Sequence, residues 1–525
     1  MEKFNLAEYC LQENARRFPD KYALIIAEKD GSERKFTYQD LYHQVACLVS
    51  GFASLKLEKG AVVAIQAEDA HDLLLSFLAA IAANLVPVLL LQSLVDESVE
   101  YILKHSNASI FLQLDKNSKK KFSQQNYCII NLEEYQQLVR FPFREIHTGT
   151  QMNDPAFIFY TSGSTGAPKG VVHAQRVILG RMPSIKYWMD LRSDDVVMQT
   201  DNLCWTYSLF TGFLDPLMMG ATAVVYNPSN FSSLAENAIS GKTWLQLINR
   251  YNVTIMASTP DIYHLILDTD NLHEYQHSSL RMAGSAGTLL AESVQKQWKN
   301  IFGIPIYTAL GMTEISTCIS TGLSIPPKAQ TIGKIQPGRH MRLLPIETGF
   351  DDVTFDQVGM LAVHKDEQGL MLGYLGENSE TSLHYRGDWF LTQDLLSMDK
   401  DGYLTYCGRL DSIIKVGGGF RVSPIQVENV IKSYEKIKDV VCTAIFDQHL
   451  ATDVLAAYIV CDQPDDVSAK ALCEYIRQHL TDYKMPQYFF FVDEIPHNMR
   501  GKVDRKKLAE VKKIFTWVPV KLEEE

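Results

Sequence analysis

The stretch that decides the fold reads Phe157-Ile158-Phe159-Tyr160-Thr161-Ser162-Gly163-Ser164-Thr165-Gly166-Ala167-Pro168-Lys169-Gly170. Its apolar beginning predicts a buried strand that ends at Tyr160. The residues that follow supply hydroxyl groups, glycine amides and the cation of Lys169, which are the groups that bind an anionic polyphosphate. A flexible Gly/Ser loop does not account for this hydroxyl density directly after a strand. A Walker A loop is excluded because Pro168-Lys169-Gly170 stands where that motif has Gly-Lys-Ser/Thr. The stretch therefore predicts a phosphate-binding site at the end of a strand.

Short aliphatic runs alternate with amphipathic helical segments on both sides of this stretch. The runs cover residues 62–65, 86–91, 110–112, 127–130, 223–226 and 255–257, and the helical segments include residues 41–55 and 243–251. Strand and helix repeated in this way predict a doubly wound α/β fold, whose ligand sites lie at the carboxyl ends of the strands.

The pattern changes from about Gly359 to short strands with glycine and aspartate turns, which indicates a β-rich subdomain. After a triple glycine at 417–419, a compact α+β pattern follows over residues 424–433, 440–445, 455–460, 469–480 and 488–492. We therefore place a domain boundary near Asp411, between a large N-terminal domain, 1–410, and a small C-terminal domain, 411–525.

Length and charge exclude several classes of protein. The chain has 525 residues, enough for at least two domains, and its 46% hydrophobic and 21% charged residues are typical of a globular protein. The net charge of -12 disfavours nucleic acid as a partner, since the one basic cluster, between Lys116 and Lys121, is typical of a solvated loop.

The sequence predicts a cytoplasmic protein without a membrane span. Nine cysteines without a CxxC pair fit neither a disulfide framework nor a zinc site, and no apolar signal segment follows Met1. The apolar stretch 73–91 is long enough to span a bilayer, but Asn84 and Pro87 divide it. It is predicted to be a buried helix over 73–83 followed by a buried strand over 86–91.

Residues 160–170 resemble the signature loop of the adenylate-forming (ANL) superfamily, which includes acyl- and aryl-CoA synthetases, peptide-synthetase adenylation domains and firefly-type luciferases. Five further motifs follow in the family's order and span nearly the whole chain. The resemblance implies an AMP-binding N-terminal domain and a mobile C-terminal lid. It implies that the loop binds the nucleotide through Thr161, Ser162, Gly163, Ser164, Thr165, Gly166 and Lys169.

Two motifs resemble the family's adenine and metal sites. Gly284-Ser285-Ala286-Gly287 is similar to the Gly-Gly-Ala-Pro turn beside the adenine, with Gly287 in place of proline. Leu310-Gly311-Met312-Thr313-Glu314 is similar to Tyr-Gly-x-Thr-Glu, with Leu310 in place of the aromatic residue. The resemblance implies that these residues contact the nucleotide, that Thr313 contacts the α-phosphate and that Glu314 holds Mg²⁺.

The next motifs resemble the ribose site and the hinge. Thr392-Gln393-Asp394 is similar to Thr-Gly-Asp, whose aspartate accepts hydrogen bonds from both ribose hydroxyls. The stretch 406–415 is similar to the hinge motif Gly-Arg-x-Asp-Asp-x-Ile-Lys, with Ser412 in place of the second aspartate. Arg409 would bind ribose or phosphate, and Asp411 would be the pivot of the small domain.

The remaining motifs lie in the C-terminal domain. Gly417, Gly418, Gly419 and Phe420 are implied to form a tunnel for pantetheine, and Arg421 matches the family's nucleotide-binding arginine in a loop that is one glycine longer. The stretch 496–505 resembles Pro-x-x-x-x-Gly-Lys-Ile-x-Arg, which makes Lys502 the catalytic lysine.

The resemblance implies an acid–thiol ligase. ATP and a carboxylic acid would form an acyl-adenylate with release of pyrophosphate, and coenzyme A would then take the acyl group. Thr313, Glu314 and Lys502 are the expected catalytic residues, with ATP, Mg²⁺ and coenzyme A, or a carrier phosphopantetheine, as cofactors. The acyl pocket is expected at Trp205, Tyr207, Gly284 and Tyr307, for a small or medium-chain or benzoate-like acid, although Trp205 is equally interpretable as a core aromatic residue.

Two alternatives stay open. A stand-alone adenylation enzyme could load an acyl or amino acid onto a carrier protein in trans, although neither Asp201 nor Asp215 aligns with the ligand for a substrate amino group. A non-catalytic nucleotide-binding relative is disfavoured because Lys169, Glu314, Asp394, Arg409 and Lys502 are all present. A screen for pyrophosphate release with coenzyme A or a carrier as acceptor separates the three.

Overall fold

The computed structural model describes residues 3–115, 127–147, 149–162, 168–227, 239–275, 279–376, 378–416, 420–447, 452–461, 469–481, 484–496, 503–504, 507–511 and 513–517. The chain divides into two compact units. The first unit comprises 1–341 and 363–390, and the second comprises 342–362 and 391–525. The boundary near Asp411 stays a prediction.

A first sheet of the first unit has the strand order β18-β8-β7-β4-β3-β5-β6 in the described residues. Its strands are β3 Val62–Ala67, β4 Val86–Leu89, β5 Ala108–Leu114, β6 Cys128–Asn131, β7 Pro155–Ser162, β8 Pro168–Ala174 and β18 Gly373–Tyr374. The five strands from β7 to β6 are parallel, while β8 and β18 are antiparallel to their neighbours. All four residues of β4 are buried, as expected of a central parallel strand.

A second sheet of the first unit has the order β15-β14-β13-β12-β11-β9-β10-β1-β2. Its strands are β1 Tyr22–Glu28, β2 Glu33–Thr37, β9 Val196–Gln199, β10 Thr222–Asn227, β11 Ile255–Ser258, β12 Met282–Ser285, β13 Ile306–Met312, β14 Ser316–Ser320 and β15 Lys334–Ile335. The strands from β13 to β1 are parallel, so their carboxyl ends share one edge. All six predicted strand runs lie in these two sheets, which confirms the α/β class.

Helices connect the parallel strands of the first unit. They are α1 Leu6–Arg17, α2 Tyr38–Ser54, α3 Ala70–Ala82, α4 Asp96–His105, α5 Leu132–Val139, α6 Thr206–Leu209, α7 Asp215–Met219, α8 Gly241–Tyr251, α9 Pro260–Leu267, α10 Glu292–Phe302 and α11 Asn378–Leu383. The side chain of Asp69 caps α3 by accepting from two backbone N–H groups. One hydrophobic cluster joins Leu24 of β1 and Val63 of β3 through helices α1 to α3.

The apolar stretch 73–91 folds as predicted. It forms most of α3 and the buried strand β4, and Asn84 lies between them with a positive φ of 61°. Among the helices in the described residues, none is long and apolar enough to cross a bilayer.

The second unit contains short strands and a small α+β layer. Its strands include β16 Met341–Leu344, β17 Val358–His364, β20 Trp389–Met398, β21 Leu404–Arg409, β22 Ile414–Val416, β23 Phe420–Val422, β24 Ile437–Asp447, β25 Thr452–Cys461, β26 Tyr488–Val492 and β27 Lys513–Trp517, with β16, β17 and β20 beginning or ending in the first unit. In the first unit, β19 Tyr385–Arg386 pairs with the start of β20. Helices α12 Pro424–Lys432 and α13 Ala469–His479 match the predicted segments 424–433 and 469–480.

Candidate active site

The sequence predicted that the strand before the phosphate loop ends at Tyr160, and this prediction is wrong. Strand β7 continues past Tyr160 through Ser162 and pairs with β8, with Thr161 opposite Lys169 and Ser162 opposite Pro168. The pairing with β8 extends the strand beyond its apolar part, so hydrophobicity alone marked its end two residues too early. Thr161 and Lys169 are therefore cross-strand neighbours on a hairpin, while Gly163 to Gly166 lie outside the described residues.

The Thr313–Glu314 motif forms a tight turn between the antiparallel strands β13 and β14. Leu310, Gly311 and Met312 are the last residues of β13. A Cβ atom at residue 311 would lie 2.6 Å from the carbonyl oxygen of Ser316, so the turn requires glycine there. The backbone of Met371 donates to the carbonyl of Glu314 at 2.8 Å, which fixes the turn from a distant segment.

Tyr374 contacts both the glutamate and the hairpin lysine. Its hydroxyl donates to Oε1 of Glu314 at 2.7 Å, and Nζ of Lys169 lies 5.5 Å from its ring centroid. An ammonium at this distance is attracted to the electron-rich ring face. One aromatic side chain thus positions a carboxylate and a cation that the sequence places 145 residues apart.

His173 supports the same turn from β8. Its Nε2 lies 2.9 Å from the carbonyl oxygen of Thr313, and since a carbonyl can only accept, Nε2 carries the proton. Its Nδ1 is buried with no hydrogen-bond partner among the described residues. Complete burial lowers the pKa of His173 to about 4, so the ring is neutral at pH 7.

We expect His173→Gln to flatten the acid dependence of stability. The unfolded chain protonates this histidine below pH 6.5 and the folded chain only below about 4. The contribution of neutral His173 to the free energy of unfolding is therefore fully present above pH 6.5. About 3 kcal/mol of this free energy is lost as the pH falls toward 4. Glutamine can donate to the same carbonyl but does not titrate. Denaturant unfolding between pH 7 and pH 4 measures the difference, with exposed His273→Gln as control. If the free energy of unfolding fell equally with pH in wild type and His173→Gln, His173 would not be the buried neutral group inferred here.

A buried ion pair lies behind the turn. Arg181 and Asp215 are 1% and 0% exposed, with Nη2 2.6 Å from Oδ2. Arg181 also donates to the hydroxyl groups of Ser316 and Thr317. Asp215 is the first residue of α7 and is structural, as its helical position in the sequence predicts. The pair fixes the start of β14, and with it one end of the Thr313–Glu314 turn.

Three of the four residues expected to form the acyl pocket meet at Trp188. The indole Nε1 donates to the carbonyl of Tyr307 at 3.0 Å, and the ring centroids of Trp188 and Tyr207 lie 6.1 Å apart. A Cβ atom at Gly284 would lie 3.0 Å from Cζ2 of Trp188. Trp205, the fourth residue, directly precedes the first residue of α6 and is partly buried.

The predicted adenine turn begins later than the sequence suggested. Gly284 and Ser285 belong to β12, and the chain turns at Ala286 and Gly287, where φ is 95°. Since alternate strand residues face opposite sides, Ser285 points away from the face on which Gly284 meets Trp188. The hydroxyl of Ser285 is buried without a partner among the described residues.

The carboxylate of Asp201 is already engaged. Its two oxygens accept hydrogen bonds from Thr259 at 3.3 Å and from Gln199 at 3.2 Å. Burial raises its pKa to about 6. With Asp215 paired to Arg181, both acidic residues considered for a substrate amino group have other partners.

The second unit holds the predicted ribose aspartate. Oδ1 of Asp394 accepts from the hydroxyl of Tyr406 at 3.2 Å and lies 3.5 Å from Nη1 of Arg409. Gln393 has a φ of 68°, a left-handed conformation that glycine adopts without strain, which explains why the family motif has glycine there. Asp394 and Arg409 are cross-strand partners on β20 and β21.

Other predicted residues are located only by their backbone or not at all. Asp411 lies in the short helical turn Leu410–Ser412, and Phe420 and Arg421 lie on β23. Gly417, Gly418, Gly419 and Lys502 lie outside the described residues, and their roles stay predictions.

Sequence reasoning missed His173, Tyr374, Arg181 and Trp188. His173 follows the quoted loop by three residues, and its polar side chain between the apolar residues Val172 and Ala174 was an available signal. Tyr374 and Glu314 are 60 residues apart, and Trp188 and Tyr307 are 119 residues apart, so no local pattern connects them.

The fold and the site define a doubly wound α/β protein in which Lys169 of the β7–β8 hairpin and Glu314 of the turn after β13 both contact Tyr374. The chain belongs to the AMP-binding enzyme family, since that family's profile matches residues 11–375 and the profile of the AMP-binding enzyme C-terminal domain matches residues 426–502. The resemblance to the adenylate-forming superfamily is thereby confirmed.

Relatives match nearly the whole chain. An uncharacterized acyl-CoA ligase, YtcI, of Bacillus subtilis (strain 168) is 25% identical over 97% of this chain and 94% of its own. The 4-hydroxybenzoate–CoA/benzoate–CoA ligase of Rhodopseudomonas palustris is 28% identical over 91% of this chain and 89% of its own. The solved benzoate CoA ligase of Burkholderia xenovorans LB400 has the same fold, with a TM-score of 0.81, 22% identity and coverage of 96% and 99%.

Proposed function

We propose that the protein activates a carboxylic acid with ATP to an acyl-adenylate, releases pyrophosphate and transfers the acyl group to coenzyme A. The observation that carries the proposal is the joint positioning of Lys169 and Glu314 by Tyr374 in the first unit. A cation next to a carboxylate that can hold a metal ion is the combination of charges that would bind a triphosphate. Membership in the AMP-binding enzyme family and the acyl- and benzoate-CoA ligase names of relatives support the same reaction.

The main task of this site is neutralisation of charge, because an anionic carboxylate must approach an anionic α-phosphate in line with the leaving pyrophosphate. Lys169 and the hydroxyl of Thr161 would bind the phosphates from the hairpin. Thr313 would contact the α-phosphate from the turn that His173 holds. Donors fixed before the reaction stabilise the developing charge without reorganisation.

The residues present fit a magnesium ion. Mg²⁺ prefers oxygen ligands and is commonly held by one or two carboxylates together with substrate phosphates and water. Glu314 offers such a carboxylate, and the bond from Tyr374 to Oε1 fixes its direction. When bound, the ion would supply positive charge to the phosphate oxygens.

We assign the remaining roles by the family motifs. Asp394 would bind the ribose hydroxyls, with its carboxylate oriented by Tyr406 and Arg409. Lys502 would stabilise the adenylation transition state. Rotation at Asp411 would then withdraw Lys502 and bring the 417–420 loop to the site, where it would form a tunnel for pantetheine. All nine cysteines are free thiols in the structure. Cytoplasmic location stays a prediction.

Coenzyme A is the favoured acceptor. The relatives described above are CoA ligases by name, and none is named for a carrier protein. The engaged carboxylates of Asp201 and Asp215 disfavour an amino acid as the substrate. A pyrophosphate-release screen over carboxylic acids, with coenzyme A or a holo-carrier as acceptor, tests the proposal. Release with an acid and thioester formation on coenzyme A are expected. Transfer only to a carrier, or release with no acid at all, would overturn it.

We expect Tyr374→Phe to raise the Mg²⁺ concentration required for half-maximal activity. The variant keeps the ring beside Lys169 but removes the hydroxyl that holds Glu314. A hydrogen bond to a charged group contributes about 1.5–3 kcal/mol, so a shift of tenfold or more is expected. Activity measured against Mg²⁺ at saturating ATP checks this, with Tyr385→Phe as control. An unchanged Mg²⁺ dependence would refute the role of the hydroxyl.

A further inference from the structure

We infer that two side chains of helix α4, Tyr101 and His105, position the β7–β8 hairpin for binding the phosphates of ATP. The inference rests on the proposed function and adds two positioning residues to it. Neither residue lies in one of the family motifs. Each contacts the hairpin one residue before a proposed phosphate ligand, Tyr101 at Pro168 and His105 at Tyr160.

The two side chains hold opposite strands of the hairpin. The hydroxyl of Tyr101 donates to the carbonyl of Pro168 on β8 at 3.2 Å. Nδ1 of His105 lies 2.8 Å from the hydroxyl oxygen of Tyr160 on β7, a hydrogen bond in which either atom can be the donor. The rings of Tyr101 and His105 stack on each other, with centroids 5.4 Å apart and planes inclined by 16°. One pair of neighbouring rings on α4 thus contacts both strands.

Helix α4 is a fixed support for these rings. Its buried side chains Val99 and Leu103 belong to a hydrophobic cluster that also includes Val88 of β4 and Ile158 of β7. The two contacting rings are four positions apart in the sequence, and residues with this spacing lie on the same side of a helix. Packing of α4 on β4 and β7 therefore brings both rings to the hairpin.

Gly170 gives Tyr160 the room to reach His105. Tyr160 and Gly170 are cross-strand partners, and a Cβ atom at residue 170 would lie 3.2 Å from Cζ of Tyr160. The ring of Tyr160 therefore lies against β8 at this glycine. The backbone N–H of Leu375 donates to the carbonyl of Gly170 at 2.8 Å. The hairpin is thus held at this level both by α4 and by the chain that follows β18.

The contacts with α4 lie on the face of the hairpin opposite to the proposed phosphate ligands. Side chains alternate along a strand, so Thr161 faces away from Tyr160. Its cross-strand partner Lys169 lies beside the ring of Tyr374. The rings of α4 contact the residues next to Thr161 and Lys169, and so act on these two side chains through the backbone.

Support from α4 would favour phosphate binding by fixing the hairpin before ATP arrives. A protein whose binding conformation is only partly populated binds with an affinity reduced by that fraction. Loss of either contact would free one strand next to its phosphate ligand. Thr313 is assigned to the α-phosphate, which leaves the β- and γ-phosphates to Thr161 and Lys169. The affinity for ATP should therefore depend on α4, whereas the affinity for AMP should not.

The test measures Kd for ATP and for AMP by calorimetry, with Mg²⁺ and without a carboxylic acid. Tyr101→Phe keeps the ring and removes the hydroxyl, and His105→Phe keeps the stacking and removes Nδ1. Each is expected to raise Kd for ATP by about twofold to tenfold, the range for one neutral hydrogen bond, and the double variant by more. Kd for AMP should keep its wild-type value. His105→Asn, whose amide can replace Nδ1, should restore the affinity for ATP.

Two exposed positions provide matched controls. Tyr9→Phe also removes a tyrosine hydroxyl, and Lys104→Ala changes α4 between the two contacts. Both variants should keep the wild-type Kd for ATP. In turnover, the Tyr101 and His105 variants should raise KM for ATP and leave KM for the acid unchanged.

The outcomes separate this inference from the proposed function. An unchanged Kd for ATP in the Tyr101 and His105 variants, or an equal rise for ATP and AMP, overturns the inference, and so does a lower thermal transition with Kd unchanged. A wild type that binds ATP but activates no acid overturns the proposed function, while Kd for ATP in the variants still decides the inference. A wild type that does not bind ATP overturns both. If His105→Phe does not fold, as judged by its thermal transition, Tyr101→Phe decides.

Discussion

Lys502→Ala is expected to abolish formation of the acyl-adenylate while leaving thioester formation from a supplied acyl-adenylate intact. The lysine would neutralise charge only in the first half-reaction, where carboxylate and triphosphate meet. Loss of one preorganised donor to a transition state costs roughly 10²–10³-fold in rate, and loss of a full charge is expected to cost at least as much. Isotope exchange between ATP and pyrophosphate measures the first half-reaction, and release of AMP from acyl-adenylate and coenzyme A measures the second.

Lys507→Ala is the matched control, because Lys507 is an exposed lysine of the same terminal region. It should retain both half-reactions. Exchange at the wild-type rate in Lys502→Ala would refute the lysine assignment. Loss of both half-reactions in that variant would show a structural role instead.

Asp215→Ala is expected to destabilise the first unit by about 3–5 kcal/mol. Removal of this carboxylate leaves the guanidinium of Arg181 buried without its counter-ion, and breaking a buried pair by removing one partner costs this much. Adenylation should fall as well, since Arg181 anchors Ser316 and Thr317 next to the Thr313–Glu314 turn. Denaturant unfolding followed by tryptophan fluorescence measures the loss.

Asp20→Ala, at an exposed position, provides the control and should change the free energy of unfolding by less than about 0.5 kcal/mol. A loss below about 1 kcal/mol in Asp215→Ala would contradict the interpretation of the pair as a support of the turn.

Sequence patterns predicted those parts of the fold that depend on local hydrophobicity. Central parallel strands such as β3 and β4 are buried on both faces and so appear as continuous apolar runs. The end of β7 was missed because Thr161 and Ser162 are polar and are strand residues only through their pairing with β8. Pairing partners are set by tertiary structure, which hydrophobicity does not encode.

The residues of the candidate site that stand in short motifs could be predicted from the sequence. The residues that hold them in place could not. Lys169 and Glu314 stand in recognisable sequences, but their shared contact, Tyr374, does not. His173 and Thr313 are 140 residues apart and meet because β8 and the turn after β13 come together in the first unit. The net charge of -12 likewise does not reveal where a single cation such as Lys169 lies, which is beside the ring of Tyr374.

The most direct test of adenylate formation uses a short carboxylic acid labelled with ¹⁸O in its carboxylate. Incubation with ATP, Mg²⁺ and coenzyme A should transfer one labelled oxygen to the phosphate of AMP, because the acid oxygen bonds to the α-phosphorus and remains there when the thiol attacks the carbonyl carbon. Mass spectrometry of the nucleotide and phosphate products reads the label. ADP with ¹⁸O in inorganic phosphate, or unlabelled AMP, would contradict the proposed reaction.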